Sequence, residues 1–175
     1  MGFAYKITDQ QGIYFITATV VQWIDVFTRK EYKDIVIGSL EFCRKKKGLN
    51  IFGWVIMSNH LHAIVSCGEG FELSDTLRDF KKFTSTQITE AIENNPKESR
   101  KNWLVWLLKN KEGITFWQEG NHPEEIRTMD FFRQKLNYIH QNPVRSGIVE
   151  KEEEYIYSSA RDFYDKKGLL ELSCF

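Results

Sequence analysis

The segment from residue 50 to residue 66 restricts the fold more than any other part of the chain. Two apolar, β-rich runs, Asn50 to Met57 and His60 to Ser66, are separated only by Ser58 and Asn59. Strands joined by two residues form a tight antiparallel hairpin. The sequence therefore predicts such a hairpin, with a register left open because its turn has no glycine.

Three further elements are predicted around this hairpin. The β-branched run Ile13 to Val21 predicts a strand. Apolar residues among charges predict a helix over Glu31 to Lys47, ended by Gly48. After the hairpin, helical spacing of apolar residues predicts a helix over Leu73 to Ile92, with Ser74 as its N-cap.

The second half of the chain completes the expected fold. Gly113 to Gln118 predicts a short strand, and Thr128 to Gln141 has the apolar spacing of a helix. Pro143 cannot continue a regular helix, so we expect this helix to end near Asn142. A last short helix is expected at Ser158 to Tyr164. This order of elements predicts an α+β fold, with a ferredoxin-like antiparallel sheet covered by helices.

Length and composition narrow the protein class. The 175 residues predict one domain over 1–175, and the formal net charge is zero, so any binding to nucleic acid would depend on local basic patches. Cys43, Cys67 and Cys174 lack the close pairs of zinc sites or disulfide frameworks. No signal peptide and no membrane-spanning run is recognisable, so we expect a soluble cytoplasmic protein.

His60 and His62 form the first candidate site. They flank Leu61 on a predicted strand, where the period of two directs both imidazoles to the same face of the sheet. This geometry suits a pair of metal ligands. The alternative is a structural role, with one histidine hydrogen-bonded in the interior and the other in solvent.

Tyr138 and Asn142 form the second candidate site. They lie four residues apart at the end of a predicted helix, so one helical face presents both side chains. A tyrosine becomes an effective nucleophile when its target is polarised and a nearby group takes its proton. The alternative is an amphipathic helix in which the tyrosine fills a gap and the asparagine caps the end.

The order of the motifs resembles that of a known family, the REP-associated tyrosine transposases within the IS200-like single-tyrosine transposases. The resemblance extends over about residues 14–170. It rests on Met57 to His62, Phe116 to Gln118 with Asn121-His122, Tyr138 to Val144, and Tyr157 to Ala160.

The resemblance implies a set of catalytic roles. His60 and His62 would form the HUH motif and bind a divalent ion, Mg²⁺ or Mn²⁺, and Tyr138 would be the nucleophile. The insertion-sequence branch has a glutamine as third ligand four residues after the tyrosine. Here that position is Asn142, which keeps a carboxamide oxygen, and Gln141 is the second choice.

The resemblance also implies the substrate. The family acts on single-stranded DNA with small hairpins, through a 5′-phosphotyrosine that another 3′-OH can reverse. Basic and aromatic residues would line the DNA path, and the enzyme would be a monomer or a homodimer. The expected contacts are Arg78, Lys81, Lys82, Trp117 and Arg145.

Three other functions stay open. The chain could be a domesticated DNA hairpin-binding protein without catalysis, although the intact His60, His62 and Tyr138 argue against this. It could be a nickase of the rolling-circle type, which shares the paired histidines and the tyrosine. Relaxases are disfavoured, because they usually place the tyrosine before the histidines. The last alternative is an α+β protein without an active site.

Overall fold

The centre of the molecule is a four-stranded antiparallel sheet. The computed structural model describes residues 6–174, except for the side chain of residue 110. The strands of the sheet are Tyr14–Thr19 (β1), Leu49–Ile56 (β2), His60–Cys67 (β3) and Glu124–Glu125 (β6). They follow the order β2-β3-β1-β6 across the sheet, and every neighbouring pair is antiparallel.

Helices and a small ribbon complete the described part of the chain. The helices are Lys30–Lys46 (α1), Leu73–Asn94 (α2), Lys101–Leu108 (α3) and Met129–Arg145 (α4). None of the described helices combines the length and apolar character needed to cross a membrane. The two-stranded ribbon is Lys109–Asn110 (β4) with Gly113–Ile114 (β5), and short 3-10 turns lie at Val21–Trp23, Glu152–Glu154 and Ser159–Phe163.

The expected α+β class and ferredoxin-like arrangement are confirmed. The main sheet and its two crossover helices follow the order β1, α1, β2, β3, α2, β6, with α3 and the ribbon inserted before β6. The hairpin is also confirmed, and Ile56 pairs with Leu61 across its turn. Strand β3 therefore lies inside the sheet, between β1 and β2.

The sheet has two differently covered faces. The larger apolar core fills the face covered by α1 and α2, and includes Tyr32, Trp54 and Leu77. The opposite face has a smaller core, in which Phe15 and Ile64 of the sheet lie in one cluster with Ile139 of α4. Alternation along β3 assigns its even-numbered residues, the two histidines included, to the face covered by α4.

Helix α4 corrects one expectation, because it continues through Pro143 to Arg145. The stop signal is Gly147, at φ +69. The Gly147 N–H donates to the Val144 carbonyl and the Ile148 N–H to the Pro143 carbonyl, which is the Schellman pattern of a helix end. The proline costs the helix one hydrogen bond, because its nitrogen has no N–H to donate to the Ile139 carbonyl.

Three smaller expectations also change. Ser74 is not the N-cap of α2, since the cap position is Glu72 and the Gln10 side chain accepts from the Ser74 N–H at 3.0 Å. Of the strand expected at 113–118, the first two residues form β5, while Trp117 makes an isolated bridge to Val20. Helix α3 was not expected, because its sequence is apolar on all sides and has no helical period.

Candidate functional site

The two histidines of β3 lie side by side on the sheet face that α4 covers. Their ring centroids are 4.6 Å apart at an interplanar angle of 68°. His62 is 6% exposed and His60 is half-buried. On the neighbouring strand β1, Thr17 pairs with His62 and Thr19 with His60. Neither histidine points freely into solvent, so the structure does not have the alternative arrangement with one buried and one solvent-facing ring.

Asn59 orients the His60 ring. Its amide nitrogen donates to the Trp23 carbonyl and to the Asp25 carboxylate, both at 3.1 Å. Both partners are acceptors in this geometry, so the Asn59 carbonyl oxygen is the atom that faces His60 Nδ1, at 2.7 Å. Nδ1 must then donate, and the lone pair of the neutral ring is on Nε2.

Thr17 orients the His62 ring in a similar way. Its hydroxyl is hydrogen-bonded to His62 Nδ1 at 2.9 Å. When Nδ1 carries the proton, Nε2 of His62 also keeps its lone pair. A hydrogen bond from the other ring nitrogen is the usual support of a metal-binding histidine, because it fixes both tautomer and orientation.

Both imidazoles are held in the neutral form. Burial lowers the pKa of His60. Burial, followed by the charges of His60, Lys135 and Arg145, lowers the pKa of His62 to about 3. Neutral imidazole is the form that binds metal ions.

The donor set fits a divalent ion that is also bound by substrate. Each of the two neutral imidazole rings has its Nδ1 atom hydrogen-bonded to a fixed partner. The Nε2 lone pair of each ring is left to bind an ion. Within residues 6–174, no group of three His, Cys, Asp or Glu gathers to hold a metal. Any ion here would therefore keep its full charge and open positions for phosphate oxygens.

Tyr138 lies next to this pair. Its ring centroid is 5.3 Å from that of His62 and 5.9 Å from that of Phe15, in edge-to-face geometry. The side chain is 40% exposed, so a substrate can reach its phenol. Gly53 allows α4 to lie close to the sheet, because a Cβ there would be 2.5 Å from Leu136 Cδ1.

Arg145 and Lys135 add positive charge around Tyr138. The Arg145 guanidinium lies 4.6 Å from the Tyr138 ring centroid and donates to the Tyr138 carbonyl at 3.0 Å. Lys135 Nζ lies 4.4 Å from the Phe15 ring centroid and forms an ion pair with Glu124 at 2.7 Å. Sequence reasoning missed Lys135, although its position three residues before Tyr138 put it on the same helical face.

The two candidates for a third ligand have different surroundings. Gln141 donates to the Glu152 carboxylate and faces the 3-10 turn at Glu152–Glu154. Asn142 is buried one turn after Tyr138. The hydrogen bond to Glu152 makes Gln141 the less available of the two side chains.

The expected DNA contacts on α2 and beside it differ in whether the fold leaves their side chains available to DNA. Trp117 is a correction, because its ring is 7% exposed and its Nε1 donates to Thr84 Oγ1 at 2.9 Å, so it offers no open face to a base. Lys81 donates to the Gln118 carbonyl at 3.1 Å, and burial lowers its pKa to about 8. Both residues attach the 116–120 segment to α2.

Arg78 and Lys82 remain on the surface. Arg78 forms ion pairs with Asp75 at 2.5 Å and with Asp79 at 3.3 Å, so its charge is largely balanced. Lys82 is exposed. Of the expected contacts, Arg145 is the one that the fold brings beside Tyr138.

An apolar cavity lies elsewhere in the molecule. It measures about 610 Å³ and is lined by apolar residues of α1 and α2, including Phe42, Phe80 and Phe83. These helices cover the sheet face opposite the histidines, so the cavity is separate from the candidate site.

Comparison with known proteins gives consistent results. The family model described as "Transposase IS200 like" matches residues 13–142. The REP-associated tyrosine transposase of Escherichia coli (strain K12) is 26% identical over 117 residues, which cover 66% of this chain and 57% of that protein. The chain thus spans little more than half of this relative.

A solved structure shares the fold. It is described as a REP-associated tyrosine transposase bound to a REP hairpin, and it superposes with a TM-score of 0.69 at 21% identity. The match covers 100% of this chain and 95% of that one.

Proposed function

The chain belongs to the IS200-like transposase family, and we propose that it cleaves and rejoins single-stranded DNA by forming a covalent bond between Tyr138 and a DNA 5′-phosphate. One observation carries this proposal. The reachable phenol of Tyr138 lies against His62, whose neighbour His60 shares the same sheet face and the same neutral state.

His60 and His62 would hold a divalent ion, Mg²⁺ or Mn²⁺, through their Nε2 atoms, with the Asn142 carboxamide oxygen as third ligand. When bound, the ion supplies positive charge that polarises the scissile phosphate. Thr17 and Asn59 would maintain the ring orientations, because each is hydrogen-bonded to the Nδ1 atom of one histidine.

Tyr138 would act as the nucleophile. Its Oη attacks the phosphorus and loses a proton, the bond from phosphorus to the 3′ oxygen breaks, and the departing 3′ oxygen takes up a proton. The products are a 5′-phosphotyrosine and a free 3′-OH. Attack by another 3′-OH reverses the step and joins new ends without ATP, since the number and type of phosphoester bonds are unchanged.

Arg145 would stabilise the charge that develops on the phosphate. Its guanidinium lies over the Tyr138 ring and is exposed, so it can make a bidentate contact with phosphate oxygens while the helix keeps it in place. Lys135, on the other side of Tyr138 along α4, would add to the same field.

The substrate we propose is single-stranded DNA that carries a hairpin. The support is the relative whose solved structure is described as bound to a REP hairpin. Of the residues expected along the DNA path, the exposed Arg145 is the one that lies beside Tyr138 and could meet the backbone there.

The test is a denaturation-resistant protein–DNA adduct. The protein is incubated with labelled hairpin oligonucleotides taken from repeats flanking its gene, with Mg²⁺ or Mn²⁺. We expect an adduct that EDTA and Tyr138→Phe both abolish, whereas Tyr164→Phe, which changes an exposed tyrosine outside the site, leaves it intact. Tight hairpin binding with no adduct under either metal would instead indicate a DNA-binding protein, and nicking without rejoining would indicate a nickase.

We further propose that one chain completes its own site. The Tyr138 and His62 rings are 5.3 Å apart within a single chain, which supports cleavage in cis. A mixture of His62→Ala and Tyr138→Phe proteins tests this, because each variant lacks a different part of the site. No adduct is expected from the mixture, whereas recovery of the adduct would indicate a dimer that shares its sites.

A further inference from the structure

Trp23 is a large apolar side chain held in solvent beside the two histidines. It is 59% exposed, and its ring centroid is 6.1 Å from that of His60 in edge-to-face geometry. His60 is its only ring partner among residues 6–174. An exposed indole next to a site offers an apolar face that a ligand can cover.

The backbone that carries Trp23 is fixed in an unusual conformation. Gln22 has φ 55 and Trp23 has φ 56, in the left-handed region that residues with a side chain rarely adopt. The Trp23 N–H donates to the Val20 carbonyl at 3.0 Å, and the Trp23 carbonyl accepts from the Asn59 side chain at 3.1 Å. The turn therefore projects the indole outward and holds it there.

The same asparagine also orients His60. The Asn59 side-chain oxygen accepts a hydrogen bond from His60 Nδ1–H, and its side-chain nitrogen donates to the Trp23 carbonyl. The Asn59 backbone carbonyl accepts from the Val20 N–H at 2.9 Å. The position of the indole is therefore coupled to the position of the imidazole. A group that rests on Trp23 would have a defined place relative to a phosphate bound at the histidines.

We propose that Trp23 is a stacking platform for one unpaired base of the DNA strand, close to the scissile phosphate. This inference rests on the proposed function. Tryptophan faces stack on unpaired bases, largely without regard to base identity. Successive nucleotides of a strand are about 3.4 Å apart along a helix axis, so a ring 6.1 Å from His60 is within reach of the first or second base from the phosphate. Stacking there would determine the direction in which the DNA strand runs past Tyr138.

The other tryptophans do not offer this surface. Trp54 and Trp117 are buried. Trp103 and Trp106 are exposed, but they lie on α3, which packs against α2 on the far side of the sheet. Trp106 therefore provides a matched control, since it is an exposed tryptophan remote from the histidines.

The test combines protein variants with abasic DNA. The dissociation constant is measured in EDTA for oligonucleotides that each have one abasic nucleotide at a successive position around the cleaved phosphate. The proteins are the parent, Trp23→Ala, Trp23→Phe and Trp106→Ala. Thermal unfolding of each variant verifies that it is folded, as expected for changes at exposed positions.

The platform predicts that one abasic position weakens binding by the parent by about 5- to 150-fold, which is the range for loss of one stacked base. Trp23→Ala should bind intact DNA more weakly by the same factor and be insensitive to that abasic position. Trp23→Phe should keep most of the affinity, and Trp106→Ala should behave as the parent.

Two results would overturn the platform while leaving the proposed function intact. One is an abasic penalty that is equal in the parent and Trp23→Ala, and the other is unchanged binding by Trp23→Ala while the parent still forms its adduct. In contrast, a Trp23-dependent abasic penalty without any adduct would support the platform and contradict the transposase chemistry. If Trp23→Ala bound DNA normally but changed the monomer–dimer equilibrium, the indole would serve self-association. This result would also contradict the platform.

Discussion

His62 and His140 occupy two buried regions that look alike and differ in what they leave available. Both rings are hydrogen-bonded to a hydroxyl at 2.9 Å, from Thr17 and from Ser159, and burial is the largest cause that lowers the pKa of each, to about 3 and about 4. His62 uses Nδ1 and keeps Nε2 free. His140 uses Nε2, and Ser159 in turn binds the Trp54 backbone.

The difference separates a candidate ligand from a structural histidine. The ring of His62 has His60 and Tyr138 as neighbours, whereas the ring of His140 has Phe163 at 5.0 Å. Burial and a depressed pKa are therefore common to both regions and do not identify the site. The site is identified by which ring nitrogen is hydrogen-bonded and by which residues surround the ring.

The largest expected effect comes from removing His62, with the removal of His140 as the comparison. His62→Ala should lower adduct formation by more than about 100-fold, because loss of a ligand exceeds the 10–100-fold effect of losing its supporting partner. His140→Asn should leave the activity of the folded protein within about threefold, since it does not face the site. Single-turnover adduct assays compare the two, and equal losses would contradict the distinction.

Removing the hydroxyl partner of His62 should have a smaller effect on the same site. Thr17→Val keeps the shape of the side chain and removes the hydrogen bond to Nδ1. We expect the affinity for Mn²⁺ to fall by about 10–100-fold. The free energy of unfolding should also fall by about 1–3 kcal/mol, because the buried Nδ1 loses its partner. Metal titration of adduct formation measures this, and an unchanged midpoint would show that Thr17 does not support a ligand.

Acid should destabilise both regions together. The unfolded pKa of histidine is near ~6.5, and both folded values are lower, so protonation favours the unfolded state. The stability contributed by the neutral rings is complete above pH ~6.5 and is lost as pH falls. At pH 5 the loss should be about 2 kcal/mol for each histidine. Urea unfolding in EDTA at pH 7 and pH 5 tests this, and equal stabilities would mean that folding does not lower the pKa of either ring.

The smallest effect is expected at the structural hydroxyl. Ser159→Ala removes the partner of His140 Nε2 and of the Trp54 N–H, both in the interior. The free energy of unfolding should fall by about 1–3 kcal/mol, the range for a buried polar group left unpaired. The affinity for Mn²⁺ should equal that of the parent. A loss of metal affinity without a loss of stability would reverse the roles assigned to the two regions.

Local sequence patterns were sufficient for much of the fold and for the centre of the site. The period of two placed His60 and His62 on one strand face, and the two-residue turn correctly predicted their hairpin. Helical spacing correctly places Tyr138 on a helix, although Pro143 predicts an end near Asn142 and the helix continues to Arg145. There the capping geometry at Gly147 determined the end, and it involves residues that a proline rule does not consider.

Features that depend on distant partners were not predictable in this way. Trp117 is predicted as a DNA contact because it lies in a motif that resembles the family, but its Nε1 partner, Thr84, lies 33 residues earlier in the chain. Thr17 is brought to His62 by strand pairing across 45 residues. Trp23 gave no sequence signal either, because its exposure arises from the turn that Asn59 holds.

The most direct test of the account is the chemical identity of the protein–DNA adduct. Trypsin should release residues 136–145, a peptide in which Tyr138 is the single tyrosine. Mass spectrometry of the nuclease-treated adduct should find a nucleotide linked through its 5′-phosphate to Tyr138 in this peptide. A nucleotide on any other peptide, or cleaved DNA with this peptide unmodified, would contradict the assignment of Tyr138 as the nucleophile.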